Sequence, residues 1–350
     1  MSKQAKAVAK SIETWFKINA RDLPWRRRRT RWRSFVSEIM LQQTQVARVE
    51  ERFESFMKLF PSPKALAEAP EDQVNAAWAG LGYYRRARNL QAAAQAIVEN
   101  HGGRVPANVE ALMSLPGVGR YTAGAIASIA CHRAEPIVDG NVHRVLARLH
   151  ADDASMDDAQ ASKRTWARAE ELVKAAEDPA ALNEGLMELG SQVCTKHSAS
   201  CSQCPVRRWC QARKQDLVDL IPPPRQRPEK ITEHHHAVGI VRRGRLIMQQ
   251  RPNSGRWAGL WQVPTVEAAR RLGHGEITRR LDLDLQDLQH LTSFERVLTH
   301  RRIRFHVYRA DLAKGQRIAP GTRWVTSGGV KSKLPVGVAQ QLTLEALDWA

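Results

Sequence analysis

The chain has 350 residues, room for two domains and a sizeable buried core, so stabilising disulfides are not required. Its 54 Lys and Arg outweigh 36 Asp and Glu to give a net charge of +18, and a surface this basic selects a polyanion as its partner. No apolar run approaches the ~18 residues of a membrane span, and MSKQAKAVAKSIETWF lacks the apolar core of a signal peptide. No membrane association is therefore expected, and the protein reads as cytoplasmic, or nucleoid-associated if bacterial.

In chain order, LPWR (23–26) leads into a basic burst, RRRRTRWR (26–33). Val46, Val49, Phe53, Phe56 and Phe60 then recur at helical spacing, as do Leu66 and its neighbours in an Ala-rich background. Residues 1–220 read as all helical. In LPGVGRYTAGAIASIA (115–130), Pro116, Gly117 and Gly119 make a tight turn before a helix of small residues over 123–130. Glycines there let backbone N–H groups approach a phosphate at a helix start. VDGNVHRVLARL (138–149) sets Asp139 at the start of another helix, as a cap or as a functional acid.

CTKHSASCSQCPVRRWC (194–210) holds four of the five cysteines among basic residues. Reduced, clustered thiols point to metal ligation, and the spacing alone does not choose between zinc and an iron-sulfur cluster. Cys131, in AIASIAC, reads as a buried core residue. IPPPRQRPEK (221–230) carries four prolines and reads as a linker over 221–232. Beyond it, HHHAVGIVRRGRLIMQQR and FERVLTHRRIRFHVYRADL read as strands joined by hairpins, in a smaller mixed α/β domain over 233–350. His234, His235 and His236, at a strand start, read as paired or exposed side chains.

LPGVGRYTAGAI, then VDGNVHRV, then the C-x6-C-x2-C-x5-C array resemble the helix-hairpin-helix DNA glycosylases that carry an iron-sulfur cluster. LPWR, SEIMLQQTQV (37–46) and GLGYYRRARNL (80–90) are more similar to the adenine DNA glycosylases, the MutY family, than to endonuclease III. The resemblance implies a mainly α helix-hairpin-helix glycosylase domain with a [4Fe-4S] cluster loop, plus a smaller α/β Nudix-like domain. It implies a cluster held by Cys194, Cys201, Cys204 and Cys210, with the loop between the first two ligands turned toward DNA. The partner it implies is double-stranded DNA with adenine opposite 8-oxoguanine or G, bound by a monomer.

Base removal leaves an anionic base and an oxocarbenium-like sugar, so the site needs an acid and a negative group. The resemblance assigns these roles to Glu38 and Asp139. Glu38 lies among Val36, Ile39, Met40 and Leu41, where desolvation raises a carboxyl toward a usable acid. The resemblance further places Gln43 and Tyr83 where the duplex is probed or wedged during base extrusion, and Arg26, Tyr121 and Glu184 around the adenine. Gly117 and Gly119 belong to the DNA-binding hairpin, and Gln42, Tyr84 and Asn141 are second-rank members.

Bifunctional relatives carry a lysine nucleophile where this chain has Tyr121, and no lysine occurs between Lys64 and Lys163. Excision without an efficient lyase step follows. The C-terminal domain resembles a Nudix fold through WAGLWQVP but lacks the R-E-x-x-E-E carboxylate set, which implies recognition rather than hydrolysis. Leu298, Thr299 and His300 stand where the family reads 8-oxoguanine with Phe-Ser-His, and RTRWRS replaces a Pro-Tyr segment, with no role assigned to Trp32. Two other readings stand beside this one: an endonuclease III-like glycosylase/lyase for oxidised pyrimidines, and a noncatalytic iron-sulfur DNA-binding protein.

Overall fold

A computed structural model describes residues 2–155, 157–224, 229–252, 254–313 and 321–349. The chain divides into two compact units, residues 1–69 with 88–226, and residues 70–87 with 227–350. The expected 221–232 linker is not linker throughout. Ile221 is buried against Ala147 and Ala212 with its carbonyl bonded by Arg148 Nε at 2.7 Å, and a strand already begins at Ile231. Residues 225–228 of that stretch lie outside the described residues.

The first unit is helical, as its spacing predicts. Several helices open on a side-chain cap that satisfies an otherwise orphaned backbone N–H: Ser2, Thr30, Asn108, Asp139 and Asp178 each accept one. The Val46–Leu59 helix buries Val49, Phe53 and Phe56, with Val46 only half-buried. Trp32 helps tie this helix's end to its neighbour. It is buried, stacks on Phe35 at 5.9 Å and donates from Nε1 to the Phe60 carbonyl at 3.0 Å.

Two helices are covered nearly all round and carry the chemistry. Arg31–Leu41 buries every residue from Ser34 to Met40, which forces Glu38 indoors. Pro179–Gln192 buries Glu184 and Glu188 together with its leucines. Close approach is what its glycines permit. A Cβ on Gly185 would lie 2.7 Å from Ile12 Cγ2, and one on Gly190 would lie 2.7 Å from Asn141 Cβ and 2.9 Å from the Asn141 carbonyl oxygen. The helices Lys3–Asn19 and Gly140–His150 therefore pack almost backbone to backbone against it.

The 115–130 segment departs from a plain helix. Gly117 takes φ +78, a conformation for which a side chain is strained, and it packs against Asn89. Arg120–Ala125 is α-helical and continues as a π-helical turn over Ile126–Ala130. Cys131 follows that turn and is only half-buried, so it is a rim residue and not the core residue expected.

In the second unit, seven strands form one sheet: β1 (Ile231–Arg242), β2 (Arg245–Gln250), β3 (Trp261–Gln262), β4 (Thr265–Ala268), β5 (Leu285–Val297), β6 (Arg301–Leu312) and β7 (Thr322–Val325). The order is β3-β2-β1-β6-β5, with β4 on β1 and β7 on β2; β1 and β6 run parallel, while β5 and β6 form an antiparallel hairpin. Both faces are covered. Ala237, Met248 and Val307 pack beneath Leu344 and Leu347 at the Val338–Ala346 helix, and Val238, Ile240 and Tyr308 pack beneath Ile277 of the His274–Leu281 helix. Burial on both faces explains why His235 and His236 in β1 are buried and not exposed.

The contact at Gly190 predicts that Gly190→Ala costs about 1 to 3 kcal/mol, because backbone and not a flexible side chain must yield. Thermal unfolding should show the loss, accompanied by displacement of the Asp139–Asn141 turn in a crystal structure.

Candidate active site

A cavity of about 200 Å³ opens in the helical unit. It brings together Arg26, Glu38, Tyr121, Asp139, Asn141 and Glu184, six residues singled out from sequence, carried or capped by five helices. Glu38 is only 7% exposed, and its carboxyl is pushed up to about 7. Burial is the largest cause; a hydrogen bond from Tyr121 Oη at 3.2 Å opposes it, the charges of Glu184 and Asp139 add to it, and the Arg26 charge opposes it. The Tyr121 phenol is in turn held well above its ordinary value by burial and by these acids.

Asp139 is both a cap and a lining acid, so the two sequence readings of it are compatible. Its Oδ1 accepts from the Val142 N–H at 2.7 Å and its Oδ2 from Asn141 Nδ2 at 3.3 Å. Burial raises its carboxyl, while these donors and the Arg144 charge draw it down. Capping thus fixes the position of a carboxylate whose other lone pairs face the cavity.

Sequence reasoning missed most of the arginine and glutamate frame. Glu184 is bonded by Arg26 Nε at 2.9 Å and by Arg29 Nη1 at 2.7 Å; Glu188 is bonded by Arg21 Nε at 2.7 Å and by Arg26 Nη2 at 3.1 Å. Arg26 therefore spans two acids one helical turn apart. The signal was present in the i, i+4 spacing of Glu184 and Glu188 and in the arginines that follow LPW, but the two segments lie about 160 residues apart in the chain. Met187, from the same helix, accepts a hydrogen bond from Tyr121 Oη at 3.0 Å. Gln42 donates to Thr122 at 3.2 Å and does not line the cavity. Gln43 is exposed at φ 56, in a conformation uncommon for a glutamine.

A second cleft, of about 20 Å³, is lined by Cys194, Cys201, Cys204 and Cys210 with Arg148 and Arg213. All five cysteines of the chain are free of disulfides. Arg148 Nη1 donates to Cys194 Sγ at 3.3 Å, and burial pushes the Cys204 thiol up to about 11, with the neighbouring cysteines adding to the rise. Four sulfurs lining one cleft, with burial raising the Cys204 and Cys210 thiols, fit a cationic metal centre that would supply countercharge to thiolates. Lys196, Arg207 and Arg208 are exposed on this loop.

In the second unit, Leu298, Thr299 and His300 form the β5–β6 turn, closed by a hydrogen bond from Leu298 N to the Arg301 carbonyl at 2.8 Å. Thr299 and His300 are exposed and Leu298 is half-buried. Tyr83, 53% exposed at φ 47, belongs to this unit and places its hydroxyl 3.2 Å from Thr299 Oγ1. It is not a core aromatic; Tyr84 is the buried member of the pair. His234 and His306 pair at 3.0 Å, and burial pushes His236 and His306 down to about 4. Glu233, His235 and Glu267 converge as metal ligands could, yet Arg256 bridges the two carboxylates at 2.5 and 2.9 Å, and Arg251 and Arg301 pair with them too. A guanidinium already supplies the positive charge between them.

Residues 36–171 match the family model of the HhH-GPD superfamily base excision DNA repair proteins, and residues 236–346 match the NUDIX domain model. The helical unit is similar in fold to a thermostable thymine-DNA glycosylase, at 27% identity and TM-score 0.56 over 61% of this chain and 98% of that one. The class is thus that of a helix-hairpin-helix base-excision enzyme with an appended Nudix-type domain. Adenine DNA glycosylases from Homo sapiens (36% identity over 90% of this chain and 69% of theirs), Rattus norvegicus (37%, 91% and 74%) and Mycobacterium tuberculosis (39%, 62% and 71%) are similar to it. The chain belongs to the adenine DNA glycosylase family.

The raised Glu38 carboxyl has a consequence for stability. A group raised in the folded state favours folding below its unfolded value and loses that contribution as pH climbs through the folded value. From 4.5 to about 7 this amounts to about 3 kcal/mol. Glu38→Gln should therefore unfold at higher temperature than the parent protein at pH 8, with the difference gone near pH 4.

Proposed function

We propose that this DNA glycosylase removes adenine mispaired with 8-oxoguanine or G, by acid-assisted hydrolysis of the N-glycosidic bond after base flipping. The observation that carries the reading is one cavity holding two differently tuned carboxyls, Glu38 buried and half-protonated near neutrality, Asp139 pinned by backbone and amide donors.

The geometry supports a division of labour. A protonated Glu38 donates to a ring nitrogen of the leaving adenine, which leaves as a neutral base. Asp139, fixed at its helix cap, stabilises the cationic sugar or traps it covalently until water adds. Glu184 is held by Arg26 and Arg29 with lone pairs left over, suited to accept from the adenine amino group. No lysine lines this cavity among the described residues, and Tyr121 stands at the hairpin, which supports excision without lyase chemistry over the endonuclease III-like reading. The presence of both carboxyls in one pocket counts against a noncatalytic role.

Extruding a base from the stack needs a filler and a hold on the backbone. Exposed Gln43 and Tyr83 suit the first role. The Gly117–Gly119 hairpin and the basic loop around the cysteines suit the second, acting where the DNA is. The Leu298–Thr299–His300 turn suits readout of the opposing 8-oxoguanine. Cys194, Cys201, Cys204 and Cys210 would hold a [4Fe-4S] cluster that shapes this basic loop. No helix among the described residues is long and apolar enough to cross a membrane.

Single-turnover assays on 8-oxoguanine·A, G·A and thymine glycol duplexes, with and without alkali, test the reading. Adenine release should fall about tenfold per pH unit above pH ~7, because the acid form of Glu38 is lost. Glu38→Gln should bind lesion duplex yet lose excision, and activity within tenfold of the parent would sink the assignment. His300→Ala should erode the preference for 8-oxoguanine·A over G·A by roughly tenfold, with Leu298→Phe equal to or better than the parent.

For the cysteine cleft, the expected outcome is a yellow-brown protein with about four irons per chain that Cys204→Ser diminishes. A colourless, fully active protein with one zinc would refute it.

A further inference from the structure

The Tyr121 hydroxyl has one proton and two acceptors. Its oxygen lies 3.2 Å from Glu38 Oε2 and 3.0 Å from Met187 Sδ, and a phenol donates one hydrogen bond while it can accept others. All three groups line the same cavity, Glu38 buried, Tyr121 and Met187 half-buried. Met187 is delivered by the Pro179–Gln192 helix, which also supplies Glu184 and Glu188 and is locked by their arginine pairs. The sulfur is thereby held in place against the phenol.

The direction of the Tyr121 proton must follow the state of Glu38. When Glu38 is ionised, the phenol donates to its Oε2 and the sulfur is idle. When Glu38 is protonated, its O–H donates to the phenol oxygen, and the phenol proton has to turn to another acceptor. We propose that Met187 is a positioning residue for the general acid. Its thioether takes the Tyr121 proton whenever Glu38 carries its own, so before a base enters the protonated acid sits at the end of a complete hydrogen-bond chain.

The other groups around Glu38 cannot substitute for this. Glu184 and Asp139 face it as like charges and Arg26 as an opposite one. They bias the charge on Glu38 without telling the phenol which way to turn. Met187 is uncharged, so its influence runs through the hydrogen bond alone. A leucine of similar volume would fill the same space while removing the acceptor. The inference rests on the reading of Glu38 as the acid.

The test uses the full chain with Met187→Leu, Met187→Gln and each of these combined with Tyr121→Phe. Two measurements are made: the carboxyl carbon shift of Glu38 against pH in DNA-free protein, and single-turnover adenine release from an 8-oxoguanine·A duplex against pH. Loss of the acceptor should move the Glu38 midpoint down by about half to one pH unit. Adenine release in Met187→Leu should then lose roughly two- to fivefold more between pH 6 and pH 8 than the parent does. Met187→Gln, whose amide oxygen accepts, should restore the midpoint, and in the Tyr121→Phe background Met187→Leu should no longer move it. A loss of the same factor at every pH with the midpoint unmoved overturns the proposal, as does a shift that persists without the phenol. Should the parent protein release no adenine while Met187→Leu still moves the Glu38 midpoint, the activity reading fails and the hydrogen-bond exchange stands.

Discussion

The withdrawal of the Glu38 carboxyl from water is the constraint on which the rest of the site depends. A carboxyl at 7% exposure with two further acids nearby is costly as an anion, and the surrounding structure deals with each acid differently. Glu184 and Glu188 receive guanidiniums at direct hydrogen-bond distance, and Asp139 receives a backbone N–H and an amide. Glu38 receives a hydrogen bond from a phenol, a neutral donor. Its proton is therefore exchanged near neutrality while the neighbouring carboxyls are fixed in place by their donors, which sets one titrating acid beside positioned acids in the same cavity.

That arrangement is a product of helix packing. Glu38 is buried because the Arg31–Leu41 helix is covered on all sides, and the acids of the Pro179–Gln192 helix reach the cavity because Gly185 and Gly190 let two neighbouring helices close to within backbone contact. The π-helical turn at Ile126–Ala130 contributes the Ile129 carbonyl, which accepts from Arg29 at 3.3 Å while the same guanidinium nitrogen holds Glu184. An irregular turn at a functional site thus helps aim a charged side chain. The same close packing explains why stability and activity are opposed at Glu38: the burial that raises its carboxyl is unfavourable to the fold whenever it ionises.

The second unit shows a different use of buried charge. Glu233 and Glu267 could face a divalent ion beside His235, but three arginines pair with them, and Arg256 spans both. One of those arginines, Arg301, directly follows the Leu298–His300 turn, and Ile231 N bonds the His300 carbonyl at 3.3 Å. The ion pairs therefore tether the base of the turn, which fits a rigid presenting scaffold better than a hydrolytic centre.

By itself the sequence determined what local chemistry can determine: the helical spacing of the first part, the Gly117 turn, the cap at Asp139, the thiol array, the hairpin carrying Leu298 to His300, and the family. These depend on neighbours in the chain, so spacing and residue type carry them. The tertiary structure alone decided the rest. The pairing of Arg21, Arg26 and Arg29 with Glu184 and Glu188, and the two acceptors of Tyr121, join segments more than 60 residues apart. Trp32 found its partner in the Phe60 carbonyl, and Cys131, at the end of the π-helical turn, came out half-buried. The protonation of Glu38 belongs with these. Apolar neighbours in sequence foreshadowed its burial, but how completely the folded helices withdraw it from water, and the acids they bring beside it, set its value near neutrality.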